Sequence, residues 1–111
     1  MLVALWLIAH DSRERALDRM RRGLHGLLAR VGRDAYHETV TVFWMRVLAH
    51  RLACTDATQP LDRRLEEVVA WCSASQPLAR HYSDARLSDP AGRRRFMAPD
   101  LLPMPDDEVG V

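Results

Sequence analysis

In this 111-residue chain the residue types and spacing best suited to chemistry stand together at Tyr36-His37-Glu38-Thr39-Val40-Thr41. A His-Glu pair opening a helix is half of the zincin pattern H-E-x-x-H, in which two histidines one turn apart grip zinc and the glutamate acts as base. Position 41 is Thr, so the second ligand is missing and any divalent metal needs donors from elsewhere. His10 and His81, joined to His37, are the candidates for that set. Without a metal, His37, Glu38 and Tyr36 form a candidate acid–base group. No glycine-rich phosphate loop, nucleophile elbow or cofactor-binding fingerprint accompanies them.

The same residues have a packing interpretation. On a helical wheel His37 falls inside an apolar sector, beside Trp44 and one turn from Thr41. A buried imidazole must satisfy both ring nitrogens, and Thr41 or Tyr36 is within reach of one of them. Glu38 in a first turn complements the helix dipole. His10, closing an apolar run, reads as a C-terminal cap, and His81-Tyr82-Ser83 as the entry to a capped turn.

The elements that must position these groups are helical. Met1 to Ala9 is apolar on every side, a helix that must be covered all round. Asp11 with Glu14 has capping-box spacing for a second helix, about 12–31, ending at Gly32. Its Leu17, Met20, Leu24, Leu27, Leu28 and Val31 share one face, while Arg15, Arg19 and Arg22 form a ridge opposite, within reach of Asp11, Glu14 and Asp18. Gly23 and Gly26 suggest a close helix crossing.

A third helix, about 35–53 and capped by Asp34, has so broad an apolar sector (Tyr36, Val40, Phe43, Trp44, Val47, Leu48) that it belongs at the centre of a bundle. Only the strip with Glu38, Thr39, Arg46 and Ala49 looks open to water. A fourth, about 60–72, turns Leu61, Leu65, Val68, Val69 and Cys72 inward, and Pro77 ends or kinks it. Ser83 and Ser88-Asp89-Pro90 read as N-caps of short turns, and 98–105 as an extended proline-rich stretch over the surface. The expected fold is therefore all-α: a small bundle of three to four main helices with short C-terminal helical turns and an extended Pro-rich end. It forms one domain over 1–105, followed by an acidic flexible tail at 106–111.

Composition narrows the function classes. The sequence is 48% apolar and 28% charged, with only 5 Gly and 6 Pro, which is globular rather than low-complexity. All 16 basic residues are Arg, set against 15 acidic ones, for a net charge of +1. Nucleic acid is thus not an expected partner, even with Arg93-Arg94-Arg95 in sequence, and neither is a membrane. Two cysteines, Cys54 and Cys72, are too few for a disulfide framework, and Met1–Ala9 has neither a signal peptide's basic start nor the length of a membrane span. A cytoplasmic, bacterial-type protein is expected. The charge is split: residues 1–52 hold nine Arg against five acids, and 53–111 hold seven against ten. Such halves attract each other within a chain or, head to tail, between copies.

Tyr36-His37-Glu38-Thr39, followed by His81-Tyr82-Ser83, Arg86-Leu87-Ser88, Phe96 and Pro99-Asp100-Leu101, resembles a family of short helical bacterial proteins. The likeness spans roughly 1–105, and its force lies in the order and spacing of the motifs. The resemblance implies a helical fold and interest in His37. It also implies histidines upstream of the first helix, which this chain lacks, so that any site they shared with His37 would be incomplete. It supplies no reaction. The expectation is a protein-interaction or self-associating module without catalysis, with a homo-oligomer or a protein partner as its associate. The alternative is a metal-binding or acid–base enzyme using the His/Glu site at the start of the third helix.

Overall fold

A computed structural model describes residues 2–28 and 36–104. Its elements are α1 (Leu2–His10), α2 (Arg13–Leu28), α3 (Glu38–Ala53), α4 (Leu61–Ser75), α5 (Pro77–His81), α6 (Asp84–Leu87) and α7 (Ala91–Arg94). Among the described residues there is no strand. The expectation of a small all-α protein holds. No helix among them is long and apolar enough to cross a membrane.

The centre is α3, which packs against α1, α2, α4, α5 and α7. Its sequence explains why. Met45, Leu48 and Leu52 recur at helical spacing and enter a core with Leu5 and Leu7 of α1, Ala16 of α2, and Val68 and Cys72 of α4. Phe43 and Val47, on another stripe, enter a second core with Tyr82 and Met104. One helix therefore has a bundle on one side and the folded-back C-terminal segment on another. Phe43 is fully buried, and burying a side chain of that size is worth about 1.5–3 kcal/mol.

Local chemistry sets the breaks between helices. His10 donates from Nδ1 to the Trp6 carbonyl (2.9 Å) and stacks on the Trp6 ring, closing α1 as a C-terminal cap should. At α2 the capping box on Asp11 is corrected. Ser12 is the cap, its Oγ accepting the Arg15 N–H at 3.2 Å, while Asp11 accepts from the Ser12 N–H and pairs with Arg19 (3.0 Å). Arg15 and Arg19 reach Asp11, and Arg22 reaches Asp18, so the ridge is neutralised much as its spacing implied. Among the described residues nothing lies within 4 Å of a Cβ added at Gly23 or Gly26, so no close crossing is made there by the described helices. The expected end of this helix at Val31–Gly32, and Asp34 as a cap, lie outside the described residues.

After α4, Gln76 takes the left-handed conformation (φ 47°), its N–H bonded to the Cys72 carbonyl, and Pro77 opens α5 in a new direction. Ser83 caps α6, as expected. Ser88 closes α6 rather than starting the next turn; Pro90 is the N-cap of α7, and just before it Asp89 accepts the Ala91 N–H (3.0 Å). The stretch from 96 to 104 has no regular helix, and Leu101 and Leu102 are exposed. It is not merely laid over the surface, however, because Met104 is buried to 1% exposure in the second core. The acidic tail at 106–111 lies outside the described residues.

Candidate functional site

His37 is not inside the third helix but at its N-cap, with extended backbone (φ −134°, ψ 105°). Its Nδ1 accepts the Val40 N–H (3.3 Å), satisfying one of the donors a helix start leaves open. An Nδ1 that accepts carries no proton, so Nε2 is the protonated nitrogen, and it donates to the Leu87 carbonyl at 3.0 Å. Both ring nitrogens are thus engaged. The partners foreseen for them do other work: the Thr41 hydroxyl donates to the His37 carbonyl (3.0 Å), and the Tyr36 hydroxyl donates to Glu38 (2.5 Å).

Glu38 is more enclosed than a first-turn surface acid, its side chain 14% exposed. Arg21 of α2 grips it in bidentate fashion, with Nε 3.0 Å from both carboxylate oxygens and Nη2 2.5 Å from Oε2. Such planar pairing is among the stronger charge-assisted contacts. Tyr36 adds its hydroxyl and stacks face to face on His25 (3.9 Å between centroids). Desolvation, then the bond to the Glu38 carboxylate, push the Tyr36 phenol up. The acid–base trio therefore divides. Tyr36 and Glu38 are brought together, with Arg21 as a third member that sequence periodicity did not reveal, while the His37 ring bonds elsewhere.

The expected open strip of α3 is corrected. Thr39 is 2% exposed. Its Oγ1 shares its proton between the carbonyls of Gly92 (2.7 Å) and Arg95 (3.0 Å) and accepts the Met97 N–H (3.0 Å). Arg46, on the same strip, lies over the Phe96 ring, 5.5 Å from its centroid. At Thr39 the strip is polar because it receives a backbone rather than because it meets water.

A second row of bonds fastens the same segment. The buried Tyr82 hydroxyl donates to the Met97 carbonyl (2.6 Å), and burial pushes its pKa up to about 12. The Ser83 hydroxyl and N–H donate to Asp100 (2.5 and 2.9 Å), holding that carboxyl below its usual range. Arg86 reaches the Ala98 carbonyl, and the Leu101 N–H reaches the His81 carbonyl. His81 is buried against Phe43 and donates from Nδ1 to Pro77. His10, His37 and His81 are each bonded to a backbone carbonyl of a different neighbour, and among the described residues no group of three His, Cys, Asp or Glu could hold a metal.

Joined in space, the short motifs make a latch. Tyr-His-Glu-Thr at the start of α3 and His-Tyr-Ser at the end of α5 are its two jaws, and residues 87–101 are what they hold. No protein family, curated protein or solved structure matches the chain, so the class is defined by this geometry: a small all-α protein whose C-terminal segment is latched onto its central helix.

Proposed function

We propose that this chain is a protein-interaction or self-associating module without catalysis, acting in the cytoplasm, and that it is one of the short helical bacterial proteins its motifs resemble. The observation that carries the reading is Trp6. It is 51% exposed in a helix made of apolar residues up to His10, and beyond its stack on the His10 ring it offers a broad aromatic surface of the kind enriched in protein interfaces. The latch supports the same reading, because the groups that could do acid–base work already serve as caps and fasteners. The unequal charges of the two halves favour a second copy, met head to tail, over an unrelated partner.

Native mass spectrometry with a concentration series tests this. A dimer or larger species that Trp6→Glu returns to monomer is the expected result. A monomer at roughly 100 μM, well above the Kd of an ordinary self-association, overturns the self-associating reading and leaves a different protein as the associate. Stoichiometric metal lost on His37→Ala would overturn the whole reading and restore the metal one.

A further inference from the structure

Beside the latch, on the outer side of the segment it holds, lies an open pocket of about 340 Å³. Pro90, Ala91, Arg94 and Arg95 line it, spaced so that 90 and 94, and 91 and 95, each stand one turn apart. Among the described residues neither the Arg94 nor the Arg95 guanidinium has a hydrogen-bond or ion-pair partner. Among the described residues no carboxylate lines the pocket either. Asp89, the neighbouring acid, has its Oδ1 on the Ala91 N–H. Among the described residues, therefore, the pocket presents two planar cations without an ion-pair partner beside a proline ring. The backbone beneath them is held: Thr39 bonds the carbonyl just before the arginine run, at Gly92, and the carbonyl of its last residue, Arg95.

We infer that this pocket binds a dianionic tetrahedral oxyanion, the phosphate of a small phosphomonoester or phosphate itself. Guanidinium forks match phosphate oxygens two at a time. Two of them on a preset backbone favour a double charge over a single one, because less ordering is left to be done on binding. The volume is at the lower end for a ligand site, enough for a phosphate and a small apolar body against Pro90. The site is independent of the interaction reading and stands or falls separately.

The test is a titration of the whole chain with inorganic phosphate, phenyl phosphate and acetate, following the arginine Nε–H resonances by NMR. Arg94 and Arg95 should shift, with a Kd of about 1 mM or tighter. Phenyl phosphate binding at least threefold tighter identifies a phosphomonoester as the ligand class, whereas equal binding identifies phosphate. Arg94→Gln with Arg95→Gln should weaken binding about tenfold, the loss of two charge-assisted contacts at an exposed site. Each single variant should weaken it less. Arg15→Gln with Arg19→Gln, on the neutralised ridge, should leave binding unchanged. Three results overturn the inference: no shift up to roughly 20 mM phosphate, acetate binding as tightly as phosphate, or equal weakening by the ridge variant. An oligonucleotide that binds where phenyl phosphate does not would assign the arginines to nucleic acid instead.

Discussion

The Thr39 hydroxyl lies 2.7 Å from the carbonyl oxygen of Gly92, a residue 53 positions further along the chain. Through that contact and its bonds to Arg95 and Met97, one buried side chain on the central helix terminates the backbone of the C-terminal segment. Thr39→Val keeps the shape and removes the partner of three backbone groups. The expected loss is about 2–4 kcal/mol, since stranded buried polar groups cost more than the net value of the bonds removed. A urea midpoint measures it. Hydrogen exchange should quicken at 92–97 before it does in α1 or α4, and Thr39→Ser should recover most of the loss.

His37 is a cap and a strut in this fold, and its substitution should act accordingly. His37→Ala removes the acceptor for Val40 and the donor to Leu87, with an expected cost of about 1–3 kcal/mol. His37→Asn, which can still cap, should cost less. Neither difference should respond to a metal chelator, and chelator-sensitive stability in the parent chain alone would contradict the assignment.

Gly92 is required by proximity, not by backbone angle. A Cβ there would stand 3.2 Å from both the Met97 sulfur and the Thr39 hydroxyl, and 3.4 Å from Cε1 of His37. Met97 can move, but Thr39 is pinned by its bonds. Gly92→Ala should therefore destabilise by about 1–3 kcal/mol, the range for overpacking. Combined with Thr39→Val it should cost less than the sum, because the added methyl and the lost hydroxyl weaken the same contact between Thr39 and Gly92, which can be lost only once. Thermal melts of the four proteins decide this.

What could be read from the sequence was whatever a single helix reveals about itself. The face of α2, the breadth of α3 and the inward row of α4 follow from periodicity, and the Ser83 cap from residue type. The wheel of α3 marked Glu38, Thr39 and Arg46 as the wet strip, because polar residues on a helix ordinarily meet water. They meet instead Arg21 of α2, the carbonyls of α7 and Phe96. None of these partners carries a periodic signal, since α7 is one turn long and the stretch after it has no repeat. His37 as the cap of α3 was not legible either, because its ring also reaches Leu87, a contact 50 residues away. Arg21 lay one residue from an obvious ridge and was missed for the same reason. Its value depends on a partner that only folding brings near.

Arg21 and Glu38 join α2 to α3 from partly exposed positions, the side chains 38% and 14% exposed. Solvent screens part of the attraction, so a double-mutant cycle with Arg21→Ala and Glu38→Ala should give a coupling of about 1 kcal/mol, at the upper end for surface pairs. The coupling should shrink as salt rises. Tyr36→Phe should lower it further if the phenol's bond helps orient the carboxylate.

The chain has two tyrosines, and both phenols are pushed up, Tyr82 to about 12 through burial. A phenol in the unfolded chain ionises near 10, so between roughly pH 10 and 12 the folded state holds protons that the unfolded state has released. Stability is therefore fully present below pH 10 and falls as pH rises through that window. Burial pushes the Cys72 thiol up as well, and it contributes a loss of the same sign that starts nearer pH 9. Tyr82→Phe should cost about 1 kcal/mol at neutral pH, for the lost bond to Met97, and should flatten the decline above pH 10 without abolishing it, because Tyr36 remains. Urea midpoints from pH 8 to 12, set beside the phenolate absorbance of each protein, measure both effects. A parent chain whose two phenols both titrate near 10 while still folded would show that Tyr82 is not enclosed as described.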